Sequence, residues 1–265
     1  MGNYNLSNRN LEKKSGKPLL SGRNFFIALA VVSSFLIFHY HAKSDFNQTG
    51  QPKDSRGLSF ESGPKLKRGH SLTAAKPLTV KKIDFQSDKD GDGINDLDDI
   101  VRGARKAAKK KAKYKSAYYA GGYPPAKEGV CTDVIWRAFK EAGYNLKNMV
   151  DKDIQKHVSL YPGVNGNPDP NIDFRRVVNL KVFFERYGRK LTLKLIPWNR
   201  QNLKEWQGGD IVQFDSPSHI AIVSNRRRAD GVPYLIHNEA THTMEIDNFM
   251  AWKPYITGHY RFPKK

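Results

Sequence analysis

The chain has 265 residues, room for one or two domains, and a net charge of +19. Its single cysteine excludes an internal disulfide. The basic excess is uneven: eight Lys/Arg and no acid lie in residues 101–115, beside six Asp and one Lys in 88–99. Such an excess can mark nucleic acid, anionic membrane or anionic polymer as a partner. No nucleic-acid-binding module accompanies it, so nucleic acid is not an expected partner. The plain reading of the basic run is a solvated helix face.

Residues 1–24 form a basic tail, with Arg9, Lys13, Lys14, Lys17 and Arg23 opposed only by Glu12. The uncharged run Phe25–Phe38 follows, and His39-Tyr40-His41-Ala42 extends it toward an interface. The basic flank favours a cytoplasmic N-terminus. The run is short for a span of about twenty residues, and it also fits a signal-peptide core. Tyr40-His41-Ala42 is a poor cleavage site, so an uncleaved anchor over 25–42 is expected. That places the remainder outside the cytoplasm, on the outer side of a bacterial inner membrane. Residues 43–83 are rich in Lys, Ser, Gly, Gln and Pro, without apolar period. Such a stretch buries too little surface to offset its ordering entropy and reads as a disordered tether.

Residues 84–115 read as a metal loop followed by a basic helix. Residues 88–99 fit a twelve-residue calcium loop. Asp88, Asp90, Asp92 and Asp96 fall at positions one, three, five and nine. Gly93 makes the turn at six, Ile94 offers its carbonyl at seven, and Asp99 closes the set at twelve. The loop resembles those of dockerins and thrombospondin type 3 repeats, which also place Asp last. Thr79–Phe85 reads as extended, so no helix enters the loop, whereas Leu97–Lys115 reads as a helix leaving it. The expected cofactor is one weakly bound, structural calcium ion.

Residues 116–265 read as the main domain. Cys131 begins a helix whose apolar stripe is Val134, Ile135, Ala138, Phe139 and Ala142, with Gly143 as the stop. Unpaired N–H groups at a helix tip stabilise an anion, so the thiol is expected to titrate below the free value of about 8.5. The other reading is a small buried hydrophobe. Asp133, in the first turn, suits the helix dipole. A second helix is expected from Asn179 to Gly188, with prolines forcing a loop before it. Arg175 and Arg176 suit a bidentate carboxylate or an ion pair with Asp173.

Strands follow at Leu191–Leu195, Asp210–Phe214, Ser218–Ser224, Pro233–Asn238 and Tyr255–Phe262, with Asp230-Gly231 as a hairpin turn. His219 and His237 then lie on neighbouring strands. With Cys131 they make a nucleophile, a base, and a third residue that orients the base. Asn238 is a weaker third residue, because alternation turns it to the opposite face. The backbone N–H of Cys131 is a candidate oxyanion donor. A zinc site from His219, His237, His242 and Glu239 is a weaker alternative, since the spacing is loose.

The segments GVCTDVIWRAFKEAGYNL, PDPNIDFRRVVNLKVFFER, GDIVQF, HIAIVS, IHN and TGHYRF resemble the bacterial domain of unknown function DUF-1287. That family is similar to the NlpC/p60 cysteine peptidases of cell-wall peptides. The resemblance spans residues 101–265 and implies an α+β, papain-like fold with the nucleophile helix on an antiparallel sheet. It also implies Cys131, His219 and His237 as the catalytic residues. Here the cysteine follows Val130 and precedes Thr132, where the wider group often has Asp and Ser. The expected activity is cleavage of an amide bond, with a cell-wall peptide as substrate. An acyltransferase or thioesterase using the same pair, or a non-catalytic calcium-ordered envelope-binding module, are the alternatives. Nothing in the sequence fixes the oligomeric state.

Overall fold

The computed structural model describes residues 76–264. The expected anchor over 25–42 and most of the tether lie outside the described residues. Among the described residues no helix is long and apolar enough to cross a membrane.

In chain order the elements are α1 (Asp96–Lys109), β1 (Lys113–Tyr114), β2 (Glu128–Gly129), α2 (Cys131–Glu141), α3 (Leu146–Lys156), α4 (Val177–Tyr187), β3 (Arg189–Lys190), α5 (Arg200–Lys204), β4 (Ile211–Phe214), β5 (His219–Arg227), β6 (Pro233–Glu239), β7 (His242–Ile246), α6 (Phe249–Trp252) and β8 (Ile256–Arg261). The strands form one sheet in the order β2-β1-β7-β6-β5-β4-β8-β3. All neighbours are antiparallel except β1 and β2. The architecture is α+β.

Alternation along the central strands divides the core in two. Ile211, Ile220, Ile222 and Ile236 face α1 and α2. Val212, Phe214, Ala221, Val223 and Leu235 face Trp206, Phe249 and Trp252. The α2 stripe behaves as its spacing predicts: Val134, Ile135, Ala138, Phe139 and Ala142 are fully buried, and Gly143 closes the helix in the left-handed region at φ +72°. Helix α1 lies close against α2. A Cβ at Gly103 would meet Glu141 Cβ at 2.7 Å and the Ala138 backbone at 2.9 Å. The segment after the acidic loop is therefore part of the same core, not a separate module.

Four details depart from the sequence-based expectations. The helix leaving the acidic loop ends at Lys109, and Lys113–Tyr114 turn into a strand. Helix α4 starts at Val177, so Asn179 is no cap; it is buried and its Nδ2 donates to the Asp173 carbonyl at 3.1 Å. Residues 191–195 alternate but form no strand. They follow β3, the outermost strand, which has β8 alone as partner. Alternation alone cannot build a ladder there. Finally, the end of the expected tether is bound. The Leu78 N–H donates to Ala229 O at 2.8 Å, and Leu78 and Val80 pack on the second core.

Candidate active site

The tip of α2 is held by a buried carboxylate. Asp133 accepts from Val130 N at 2.7 Å, Trp136 Nε1 at 2.8 Å, and Arg175 Nε and Nη2 at 2.8 and 2.9 Å. Reaching back to the residue before the helix satisfies one orphan amide. The bidentate pair is the planar match that arginine makes with a carboxylate. Asp133 therefore does more than face the dipole. Arg175 belongs to Asp133, and it is Arg176 that lies near Asp173, at 3.6 Å. Gly129 makes this approach feasible: it has φ +150°, and a Cβ there would sit 2.8 Å from Asp133 Cβ.

Cys131 is the first residue of α2 and is 8 % exposed. Burial pushes its thiol up to about 11, against the pull of the backbone N–H groups of Ile220, Thr132 and Cys131 itself. The acidic thiol expected of a helix tip is not what this environment gives. Desolvation of the anion outweighs the dipole.

The two histidines are adjacent, as expected of neighbouring strands. His219 Nε2 lies 2.7 Å from His237 Nδ1. Both rings are on the face of the sheet away from α2. His219 stacks on Trp252, with centroids 4.7 Å apart and planes at 20°, and Trp252 meets His237 edge-on. The ladder between β5 and β6 begins only at Ile222–Ile236, short of the ends that carry the histidines. The Ile220 backbone N–H, on β5 next to His219, is close enough to the Cys131 thiol to favour its anion. Among the described residues there is no hydrogen bond from the thiol to His219. Asn238, turned away from the histidines, donates to the carbonyls of Ala112 and Gly129, both at 3.0 Å, and so ties β6 to the approach to α2.

Two neighbours of the histidines were not legible in the sequence. Trp252 covers His219, and Asn248 Nδ2 lies 3.2 Å from both His237 Nε2 and Glu239 Oε2. Both come from α6 and the residue before it, a four-residue helix too short for periodicity to reveal. The alternative zinc set does not gather. Among the described residues, only Asp88, Asp90 and Asp92 bring three or more potential ligand groups together. Two cavities of about 540 and 560 Å³ flank α2, one at Trp136 and Tyr144 and one at Arg102 and Glu141. Neither is lined by Cys131, His219 or His237.

Burial lowers His219 to about 3, with His237 adding to the effect, and lowers His237 to about 4. Both values lie below the unfolded value of about 6.5. The unfolded chain then binds more protons between pH 3 and pH 6.5. The stability tied to neutral imidazoles is complete above pH 6.5 and is lost as pH falls, at up to about 1.4 kcal/mol per pH unit for each histidine. Denaturant unfolding from pH 7 to pH 4 should therefore show falling stability. The slope should shrink in a His237→Asn protein; the same slope in both would contradict the assignment.

The family model described as "Domain of unknown function (DUF1287)" matches residues 101–262. The chain belongs to this family. A curated relative, "Uncharacterized protein YijF" of Escherichia coli (strain K12), is 36% identical over 172 residues, covering 62% of this chain and 80% of the relative. No solved structure matches the chain. The DUF1287 match takes in Cys131, His219, His237 and the Asp133–Arg175 pair, and it begins after the acidic loop.

Proposed function

We propose that this DUF1287 protein is an exported, membrane-tethered cysteine hydrolase with a papain-like, NlpC/p60-type site. It would cut an amide bond in peptidoglycan peptides. The observation that carries the reading is the His219–His237 contact of 2.7 Å at the open end of the β5–β6 ladder. The Ile220 amide, next to His219 on β5, lies near enough to the thiol to favour its anion. The peptide substrate and the envelope location rest on the resemblance to cell-wall peptidases and on the N-terminal apolar run.

The resting pair is a thiol and a neutral imidazole, because burial disfavours both charged forms. His219 Nε2 is engaged by His237, which leaves Nδ1 to take the Cys131 proton. For Nδ1 to act as the base, Nε2 carries a hydrogen and donates it to His237 Nδ1. His237 then holds its own hydrogen on Nε2, toward Asn248. The buried Oδ1 of Asn248 lacks a partner, and turning the amide would give that hydrogen an acceptor. The sulfur attacks the carbonyl carbon as its proton moves to Nδ1. The backbone N–H of Cys131 faces the developing oxyanion. The C–N bond then breaks, His219 returns the proton to the leaving amine, and a thioester remains. Water, deprotonated by His219, attacks the thioester and frees the acid and the thiol. Catalytic hydrogen bonds often close only around substrate; here that closure means bringing the thiol and Nδ1 together through the strand opening.

The test is mass spectrometry of fragments released from purified peptidoglycan by the wild-type and Cys131→Ala proteins. New peptide termini from the wild type alone are expected. A mass gain from a transferred acyl group would instead mark an acyltransferase. Identical fragment patterns from both proteins would overturn the proposal.

A further inference from the structure

The acidic loop lies outside the DUF1287 match and plays no part in the proposed chemistry. Asp88, Asp90 and Asp92 are exposed, and their carboxylate oxygens lie within 4.8 Å of one another. An exposed acidic cluster is common and by itself means little. The second observation is Asp99. It is fully buried, and neither of its oxygens has a hydrogen-bond donor. A buried carboxylate met by one ion pair and no hydrogen bond is costly, so its retention calls for a cause.

Arg102 shows where Asp99 is aimed. Its Nη2 lies 2.7 Å from Asp99 Oδ1, at ion-pair range, and 3.1 Å from Asp92 Oδ2. One cationic nitrogen thus sits between the fifth and twelfth positions of the loop. The same guanidinium reaches Glu141 Oε1 through Nε at 2.9 Å. A single positive charge shared with Glu141 leaves the four aspartates under-neutralised. Gly91 and Gly93 hold the loop closed at φ +74° and +86°.

The geometry points to a calcium site formed by Asp88, Asp90, Asp92, the Ile94 carbonyl and both oxygens of Asp99, with Arg102 holding the cation's place until it arrives. The donors are all oxygen, as a hard cation requires, and they number six before water. Zinc and copper favour nitrogen or sulfur ligands, which this set lacks. Asp96, at the ninth position where calcium loops often ligate through water, is also bound within the protein. Its oxygens accept from Lys89 N at 2.7 Å and Tyr144 OH at 2.6 Å. It anchors the loop to the residue after Gly143, where α2 ends. A Cβ on Gly143 would stand 2.9 Å from Asp90 Cβ. Calcium binding therefore locks the loop and α1 against the far end of the nucleophile helix, and Arg102 passes wholly to Glu141. The site is independent of the hydrolase reading and would stand if that reading fell.

The test is calorimetric titration of the full chain with calcium chloride, together with thermal unfolding with and without calcium. One site is expected, with Kd in the weak range of about 10⁻⁴–10⁻³ M, and a Tm that rises with calcium. Magnesium should give a smaller shift, since it demands a stricter octahedron. Asp92→Asn, an exposed change, should abolish the heat. Asp99→Asn should raise the calcium-free Tm while removing the calcium response. No heat and no Tm shift up to 10 mM calcium, or an equal shift in Asp92→Asn, would overturn the site.

Discussion

Under the proposed hydrolase mechanism, replacing His219 by alanine should lower the rate of wall-peptide cleavage by about 10²–10⁴, the usual contribution of a positioned acid–base group. It removes the base for attack and the acid for amine departure together. Because burial holds the thiol near 11, little thiolate exists at neutral pH to act alone. The loss should therefore fall on kcat more than on KM. His237→Asn should be milder. Asparagine places an oxygen where Nδ1 lay and can still accept from His219 Nε2–H, but it has no counterpart to Nε2 and loses the link to Asn248. His237→Leu should approach the His219→Ala loss. A His219→Ala enzyme with unchanged kcat would remove the base from the account.

Asp133→Ala should be the most damaging single change to stability. It strips the acceptor from Val130 N, Trp136 Nε1 and the Arg175 guanidinium at once. Arg175 is left charged and buried, its side chain 2 % exposed. Breaking a buried pair on one side costs about 3–5 kcal/mol. For a domain of this size that lowers Tm by about 6–20 °C. Calorimetry of the two proteins checks it. A fall of less than about 1 kcal/mol would mean that water reaches the guanidinium and that the pair does not hold the tip of α2.

Much of this architecture was legible because it is local. The α2 stripe repeats at helical spacing and ends on Gly143. Asp230-Gly231 turns β5 into β6, which makes His219 and His237 neighbours. What stayed hidden was long-range or environmental. Arg175 reaches across 42 residues to Asp133, whereas Asp173 beside it in sequence was the nearer candidate. Trp252 stacks on His219 from a four-residue helix with no pattern of its own. Asp96 matched its loop position by spacing, but its bond from the Tyr144 hydroxyl, 48 residues away, left no sign there. The thiol's acidity was misjudged because helix position is visible in sequence and desolvation is not.

The proposed hydrolase requires Cys131 and His219 to work as one unit across the gap between β5 and β6. The most direct measurement is the cleavage rate of a wall peptide by Cys131→Ala, by His219→Ala and by the double variant, side by side. Members of one catalytic unit are not additive, so the double variant should be no slower than Cys131→Ala alone. Wild-type rates from Cys131→Ala, or losses that multiply in the double variant, would contradict it.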